Sequence, residues 1–287
     1  IIPGLVGSEM CIRDRDTGMD DIGPFTFNSV RFFVGFLAIV PLALMFEAKK
    51  LKKEFRFDTK TFVILSFLIG LSLFLGSALQ QVALLYTDVA NAAFFTIFYV
   101  PMVPIIIFIF KKDFLHWSVW PSVILCLIGG YLLTNFQDAT VRLGDTLVVL
   151  GALFWSTHII FTGMIVKKYN LPLTIGAIQT LLVALFSFII GLFSEEFVIA
   201  NILNEIDSIL YAGILSGGFA FVLQIYAQRN ITPAPAAIIF SLEGVFATIA
   251  AWFLLNQILG INNLLGCFFI LSGVLLSQLV PLLRKAS

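Results

Sequence analysis

The stretches FVILSFLIGLSLFLG (62–76) and VPIIIFIF (103–110) are apolar along their length, with no alternation of polar and apolar side chains. A membrane β-strand would alternate over about 10 residues. A helix crossing a bilayer core of about 30 Å instead needs roughly 20 apolar residues in a row. That rule predicts nine spans, at about 25–46, 61–85, 89–110, 117–134, 145–166, 173–194, 209–228, 234–255 and 260–283. Composition agrees, because 60% of the 287 residues are apolar and only 12% are charged, against about 45–50% and about 25% in soluble domains. The expected class is an all-α polytopic membrane protein.

Basic and acidic residues cancel at 17 each, so no net field points to nucleic acid, and none is expected as a partner. Their placement is informative. Thirteen basic residues fall on one side of the predicted spans: Lys49, Lys50, Lys52, Lys53, Arg56, Lys60, Lys111, Lys112, Lys167, Lys168, Arg229, Arg284 and Lys285. The opposite connections carry Arg142 alone, and the longest of them, SEEFVIANILNEIDS, is purely acidic. Lysine and arginine accumulate on the cytoplasmic side, so the C-terminus is expected inside, in a bacterial inner membrane, and nine spans then place the N-terminus outside. The three cysteines, Cys11, Cys126 and Cys267, suit neither a disulfide framework nor a zinc site. No metal-binding, nucleotide-binding or nucleophile–base motif is recognisable, so neither a cofactor nor an enzymatic activity is expected.

The chain also repeats itself. A shift of 144 residues over 79–132 pairs eleven identities, among them Leu79/Leu223, Gln80/Gln224, Ala92/Ala236 and Gly129/Gly273. A shift of 148 continues the match upstream, pairing Pro24 with Pro172 and Thr26 with Thr174. The second half, 145–283, holds five predicted spans and the first, 17–135, holds four. Five spans per half place the halves in opposite orientations, the inverted-repeat plan of secondary transporters. The expected architecture is therefore two inverted five-helix repeats, ten helices in plan, with the first helix missing or replaced. Residues 1–16 stand where that helix belongs. Glu9, Arg13, Asp14, Arg15 and Asp16 exclude a span there, at about 2.5–3.5 kcal/mol for each Arg or Asp near a helix centre. GSEMCIRDR is similar to a translated sequencing adapter, so 1–16 reads as a non-native or chimeric start, and a chain lacking that helix is expected to be inactive.

Three stretches carry a family resemblance: PFTFNSVRFFVGFLAIVPLAL, ALLYTDVANAAFFTIFYVPMVPIIIFIFKKD and AQRNITPAPAAIIFSLEGVFATIAAWFLLNQ. In order, spacing and duplication they resemble the EamA-like members of the drug/metabolite transporter superfamily, over roughly 17–283. The chain departs from the family pattern at Gly244, where proline usually follows the glutamate, and at Lys112-Asp113 and Asn256-Gln257, where a Gly-Glu pair is common. The resemblance implies a secondary transporter, an exporter of small metabolites such as amino acids working by alternating access in the lipid bilayer. An uptake permease for a similar solute is the alternative, and a non-transporting membrane protein or a membrane-embedded enzyme stands further off. Protons are a candidate coupling ion, and a homodimer is left open.

Ionisable groups inside membrane spans are costly and tend to be functional. Here they are Arg31, His158 and Glu243. Arg31 lies about 10 Å into its span and can meet an anionic group or serve as a paired structural residue. Glu243 lies about 14 Å deep, near the midplane, as a coupling carboxylate, an amine-binding group or a packing glutamate. Arg31 is its candidate partner. His158 and Trp155 sit together in FWSTHIIF as packing residues or cavity lining. Gln80, Gln224 and Asn91 are polar positions suited either to the cavity or to bonds between helices. Tyr99 pairs with Glu243 under the 144 shift. Pro101 and Pro104 are expected to break their helix, and GILSGG and the Gly266/Gly273 pair read as close helix packing.

Overall fold

The computed structural model describes residues 22–111, 115–133, 142–255 and 260–286. The expected non-native start at 1–16 lies outside the described residues, as do Lys112, Asp113, Asn256 and Gln257. Every regular element among the described residues is helical. Lipid requires each backbone N–H and C=O to be paired within its own segment or a closed barrel, and helices meet that demand here. They are α1 (Pro24–Phe46), α2 (Ala48–Ala83), α3 (Val89–Thr96), α4 (Tyr99–Lys111), α5 (Val119–Leu133), α6 (Leu143–Tyr169), α7 (Pro172–Ser194), α8 (Ile199–Asn204), α9 (Ile206–Tyr211), a π-helical segment Ala212–Ala220, α10 (Phe221–Ala227), α11 (Pro233–Phe240), α12 (Leu242–Leu255) and α13 (Ile261–Ala286).

Among the described residues, seven stretches are long and apolar enough to cross a membrane: Pro24–Phe46, Asp58–Ala83, Asn91–Phe110, Leu143–Tyr169, Pro172–Ser194, Ile206–Ala227 and Ile261–Pro281. Two shorter apolar helices, Val119–Leu133 and Pro233–Phe246, occupy the remaining predicted positions. The chain is a polytopic all-α membrane protein. One expectation needs correction: the basic segment 47–60 is not an open loop, because α2 begins at Ala48 and runs on to a kink at Asp58 (φ −151°, ψ 60°). Alanine, leucine, lysine and glutamate are strong helix formers, so this polar segment stays helical outside the apolar stretch.

Antiparallel pairs organise the bundle. Near the end of α7, Gly191 lies against Phe25 and Thr26 at the start of α1, while Gly176 faces Ile39. Each helix of this pair caps the other. The Glu195 carboxylate accepts from Phe25 N (2.8 Å), Thr26 N (2.7 Å) and Thr26 Oγ1 (2.7 Å). At the opposite end the Glu47 carboxylate accepts from Leu173 N (3.1 Å) and Thr174 N (2.8 Å). Both helices start with proline and have no side-chain cap of their own, so these carboxylates satisfy otherwise unpaired donors and complement the helix dipole. Gly23 makes room for one of them: a Cβ there would lie 2.2 Å from Glu195 Cδ.

The α5–α13 pair crosses through small residues in the same reciprocal way. A Cβ on Gly129 would come within 2.7 Å of the Gly266 carbonyl oxygen, and a Cβ on Gly273 within 2.8 Å of the Ser122 carbonyl oxygen. Positions 122 and 266, like 129 and 273, stand 144 residues apart. The α2–α6 pair is fastened at both ends. Asp58 takes Lys168 as an ion pair and Tyr169 Oη as a donor at 3.1 Å. At the far end Thr87 Oγ1 donates to the buried Asp145, and Arg142 pairs with Asp88 at 2.6 Å.

Candidate functional site

Among the described residues, two helical stretches carry a short turn, or break, near the middle, where the backbone stays right-handed helical at Ile97 (φ −61°, ψ −14°) and Ser241 (φ −62°, ψ −15°). The span starting at Val89 is interrupted after Thr96 and resumes at Tyr99, and the span starting at Pro233 is interrupted at Ser241 and resumes at Leu242. Ile97 and Ser241, the first residues of the two breaks, stand 144 residues apart. At the first break Ile97 N and Phe98 N turn to the carbonyls three residues back, Phe94 O (3.1 Å) and Phe95 O (3.2 Å). The cause is Pro101. Its ring excludes an α-helical carbonyl at Ile97 and it has no N–H to give, so the chain breaks four residues upstream of it. Pro104, by contrast, stands inside the continuous helix α4. The expected pair of proline breaks is therefore one break, placed at 97–98.

Between the two breaks lies a partly enclosed cavity of about 50 Å³, lined by Phe94, Thr96, Tyr99, Phe240, Ser241 and Glu243 together with small and aliphatic residues. Half of its lining falls in pairs: Thr96 with Phe240, Ile97 with Ser241 and Tyr99 with Glu243 are each separated by 144 residues. Tyr99 stands ten residues after Val89 and Glu243 ten after Pro233. At 1.5 Å per residue that is about 15 Å, halfway through a bilayer core of about 30 Å. The sequence pairing of Tyr99 with Glu243 is thus realised in space. Gln80 joins this region from α2, its Nε2 donating to Thr96 Oγ1 at 2.9 Å, and Thr96 Oγ1 donates in turn to Ala92 O at 2.7 Å. Ser241 Oγ donates to Ile238 O at 2.6 Å and lies 3.3 Å from Cys126 Sγ.

Arg31, Trp155 and His158 gather elsewhere, in the core formed by α1, α6, α7 and α10. Arg31 is fully buried, and its Nε and Nη2 donate to Asn28 Oδ1 at 3.0 and 2.6 Å. Asn28 Nδ2 passes the network on to Ser77 Oγ and Ser187 Oγ. The guanidinium stacks 4.6 Å over the Phe32 ring, Phe32 meets Phe221, and Phe221 lies parallel to Trp155 at 6.0 Å. His158 sets its edge against both Trp155 and Phe221. Its Nε2 is 3.0 Å from Gln179 Oε1 and 3.5 Å from Thr162 Oγ1. Trp155 Nε1, His158 Nδ1 and Gln179 Nε2 have no partner among the described residues.

The remaining candidates are scattered. Asn91 is buried with its Nδ2 unpartnered among the described residues, and Gln224 is half-buried on α10. Neither lines the cavity between the breaks. Sequence reasoning did not single out Phe94, Thr96, Phe240 or Ser241. The 144 shift that paired Tyr99 with Glu243 also pairs Thr96 with Phe240, but it pairs Phe94 with Ile238, which is not among the lining residues, so the shift alone does not find all four.

Comparison with known proteins places this architecture. The model of the EamA-like transporter family matches twice, over residues 16–135 and 142–279. An uncharacterized transporter of Archaeoglobus fulgidus is 30% identical over 267 residues, 91% of this chain and 79% of that protein. The uncharacterized transporter YoaV of Bacillus subtilis is 25% identical over 283 residues, 93% of this chain and 91% of its own. A protein of known crystal structure superposes with a TM-score of 0.76 over 99% of this chain and 98% of its own, at 15% identity, which shows a shared fold.

Proposed function

The chain belongs to the EamA-like transporter family, and from that premise we propose that it is a secondary active transporter exporting small organic metabolites, such as amino acids, by alternating access. The single observation that carries this reading is the cavity at half-depth between two breaks standing 144 residues apart. Interrupted helices at the membrane midplane are how secondary transporters present polar groups to a solute. Two further features support halves of opposite orientation. Glu47 and Glu195, 148 residues apart, cap each other's helices from opposite ends. The α5–α13 crossing repeats the same exchange at Gly129/Gly266 and Ser122/Gly273.

In this reading Tyr99 and Glu243 face the solute or the coupling proton. Gln80, through Thr96, positions the first break. The buried core holding Arg31, Trp155 and His158 is the surface against which the halves move. The test is flux into vesicles containing the purified protein with a membrane helix placed ahead of residue 17, with a panel of radiolabelled amino acids and small amines. At least one solute should exchange above protein-free vesicles, and Glu243→Gln should slow that exchange about tenfold or more, a loss of roughly 1.4 kcal/mol. Exchange of a solute at the wild-type rate by Glu243→Gln would remove Glu243 from the site. A panel with no member moving would overturn the transport reading.

A further inference from the structure

The chemistry of the cavity lining narrows the solute. Three of the lining side chains are aromatic, Phe94, Tyr99 and Phe240, the second of them a phenol; one is a carboxylate, Glu243; and two, Thr96 and Ser241, carry aliphatic hydroxyls. No basic side chain is among the described lining residues. An aromatic face carries negative charge density and attracts a cation lying within about 6 Å of its centroid, most strongly where water is excluded. A carboxylate in an apolar membrane core is likewise stabilised by a positive partner.

The two aliphatic hydroxyls are already engaged. Thr96 and Ser241 spend their protons on Ala92 O and Ile238 O, so towards the cavity they present oxygen lone pairs. Lone pairs, π-faces and a carboxylate are all electron-rich. An anionic group entering this space would meet no positive charge from the described lining side chains, and the phenol O–H of Tyr99 would be its one donor besides the engaged hydroxyls. We propose that the cavity binds the cationic nitrogen of an ammonium-bearing solute, with Glu243 as the counter-charge and the rings of Phe94, Tyr99 and Phe240 as its walls. This rests on the reading of the cavity as the solute site and names the class of solute it takes.

The cage is shared between the two halves. Phe94 and Tyr99 come from the first broken span, Phe240 and Glu243 from the second. A cation held by all four therefore stabilises the arrangement in which both breaks face one another. A ligand shifts a conformational equilibrium only by its differential affinity for the two states, and here that difference is the number of cage walls in contact.

The experiment is equilibrium binding to the purified protein in detergent, comparing choline with its neutral isostere 3,3-dimethylbutan-1-ol. The two differ in charge but hardly in shape. Choline should bind at least about tenfold more tightly than the alcohol. Glu243→Gln should abolish that preference, Phe240→Leu should weaken choline several-fold, and Tyr99→Phe, which keeps the ring, should hold it near wild type. Equal binding of the two probes, absence of choline binding, or a charge preference that survives both Glu243→Gln and Phe240→Leu would each overturn the cation site. The two readings fail separately. Glu243-dependent flux of a solute without any preference for choline overturns the cation site alone. Choline binding with the stated preference in a protein that moves no solute upholds the site and overturns transport.

Discussion

The two broken spans, starting at Val89 and Pro233, break at equivalent positions and place equivalent residues in one cavity, yet they reach that geometry by different means. In the first, Pro101 excludes the helical carbonyl at Ile97 and forces the turn. In the second, position 245 holds Val245 rather than proline, and the break falls at Ser241, whose hydroxyl competes for the Ile238 carbonyl. The side chains presented also diverge, a phenol at Tyr99 and a carboxylate at Glu243. Backbone shape has been kept in both halves while cause and chemistry differ. The break is the shared scaffold, and the charge is carried by one half only.

The largest expected effect comes from exchanging the two side chains. Glu243→Tyr makes the second break chemically like the first and removes the charge from the cavity. Choline affinity should fall by about 30-fold, the equivalent of roughly 2 kcal/mol for a desolvated cation on its counter-charge and rings. The double exchange Tyr99→Glu with Glu243→Tyr returns one carboxylate to the same space from the other side, and affinity should recover to within a few-fold of wild type. Titration calorimetry on the two variants decides the matter. A double variant as weak as the single one would mean that the two breaks are not interchangeable.

How much of this was legible in the sequence depends on the range of the interaction. Seven of the nine predicted spans hold helices long and apolar enough to cross a membrane, and the other two hold shorter apolar helices, because apolar backbone in lipid must pair its own polar groups. Tyr99 and Glu243, paired in the sequence by counting 144 residues, both line the one cavity. The position of the first break was misjudged by a few residues. Proline acts on the carbonyl four positions before it, so Pro101 breaks the chain at Ile97 while Pro104 rides within α4. The second break has no proline four residues downstream to announce it. Phe94 and Phe240 could not be chosen from among 31 phenylalanines by type alone. The His158–Gln179 bond joins different helices, as does the stack of Arg31 on Phe32, Phe221 and Trp155, and its partners are set by packing.

The helices that follow the breaks, α5 and α13, test whether equivalence extends beyond the cavity. Alanine at Gly129 would bring its Cβ to 2.7 Å from the Gly266 carbonyl oxygen, and alanine at Gly273 to 2.8 Å from that of Ser122. Both contacts are with backbone, which cannot swing aside. Each substitution should destabilise the protein by about 1–3 kcal/mol, the usual cost of overpacking, read as a lower apparent Tm in detergent. Equal losses would mean that the crossing is shared evenly by its two ends. A loss at one position alone would mean that one end carries the contact and the other has room to relax.

A smaller effect is expected at the reciprocal caps, where the same comparison can be made without touching a break. Glu195→Ala strips three donors from the start of α1, and Glu47→Ala strips two from the start of α7. Loss of a helix cap costs about 0.5–2 kcal/mol. Glu195 accepts one more bond, but Glu47 is the more deeply buried of the two; these differences oppose one another, so the two losses should agree to within about 1 kcal/mol. The caps sit at opposite ends of one helix pair and share no partner, so the double variant should lose the sum of the two. Apparent Tm values of the two single variants and the double variant measure this directly. A double variant no worse than the weaker single one would mean that α1 and α7 separate as soon as either end is released, and that the pair is held by its termini rather than by the packing between them.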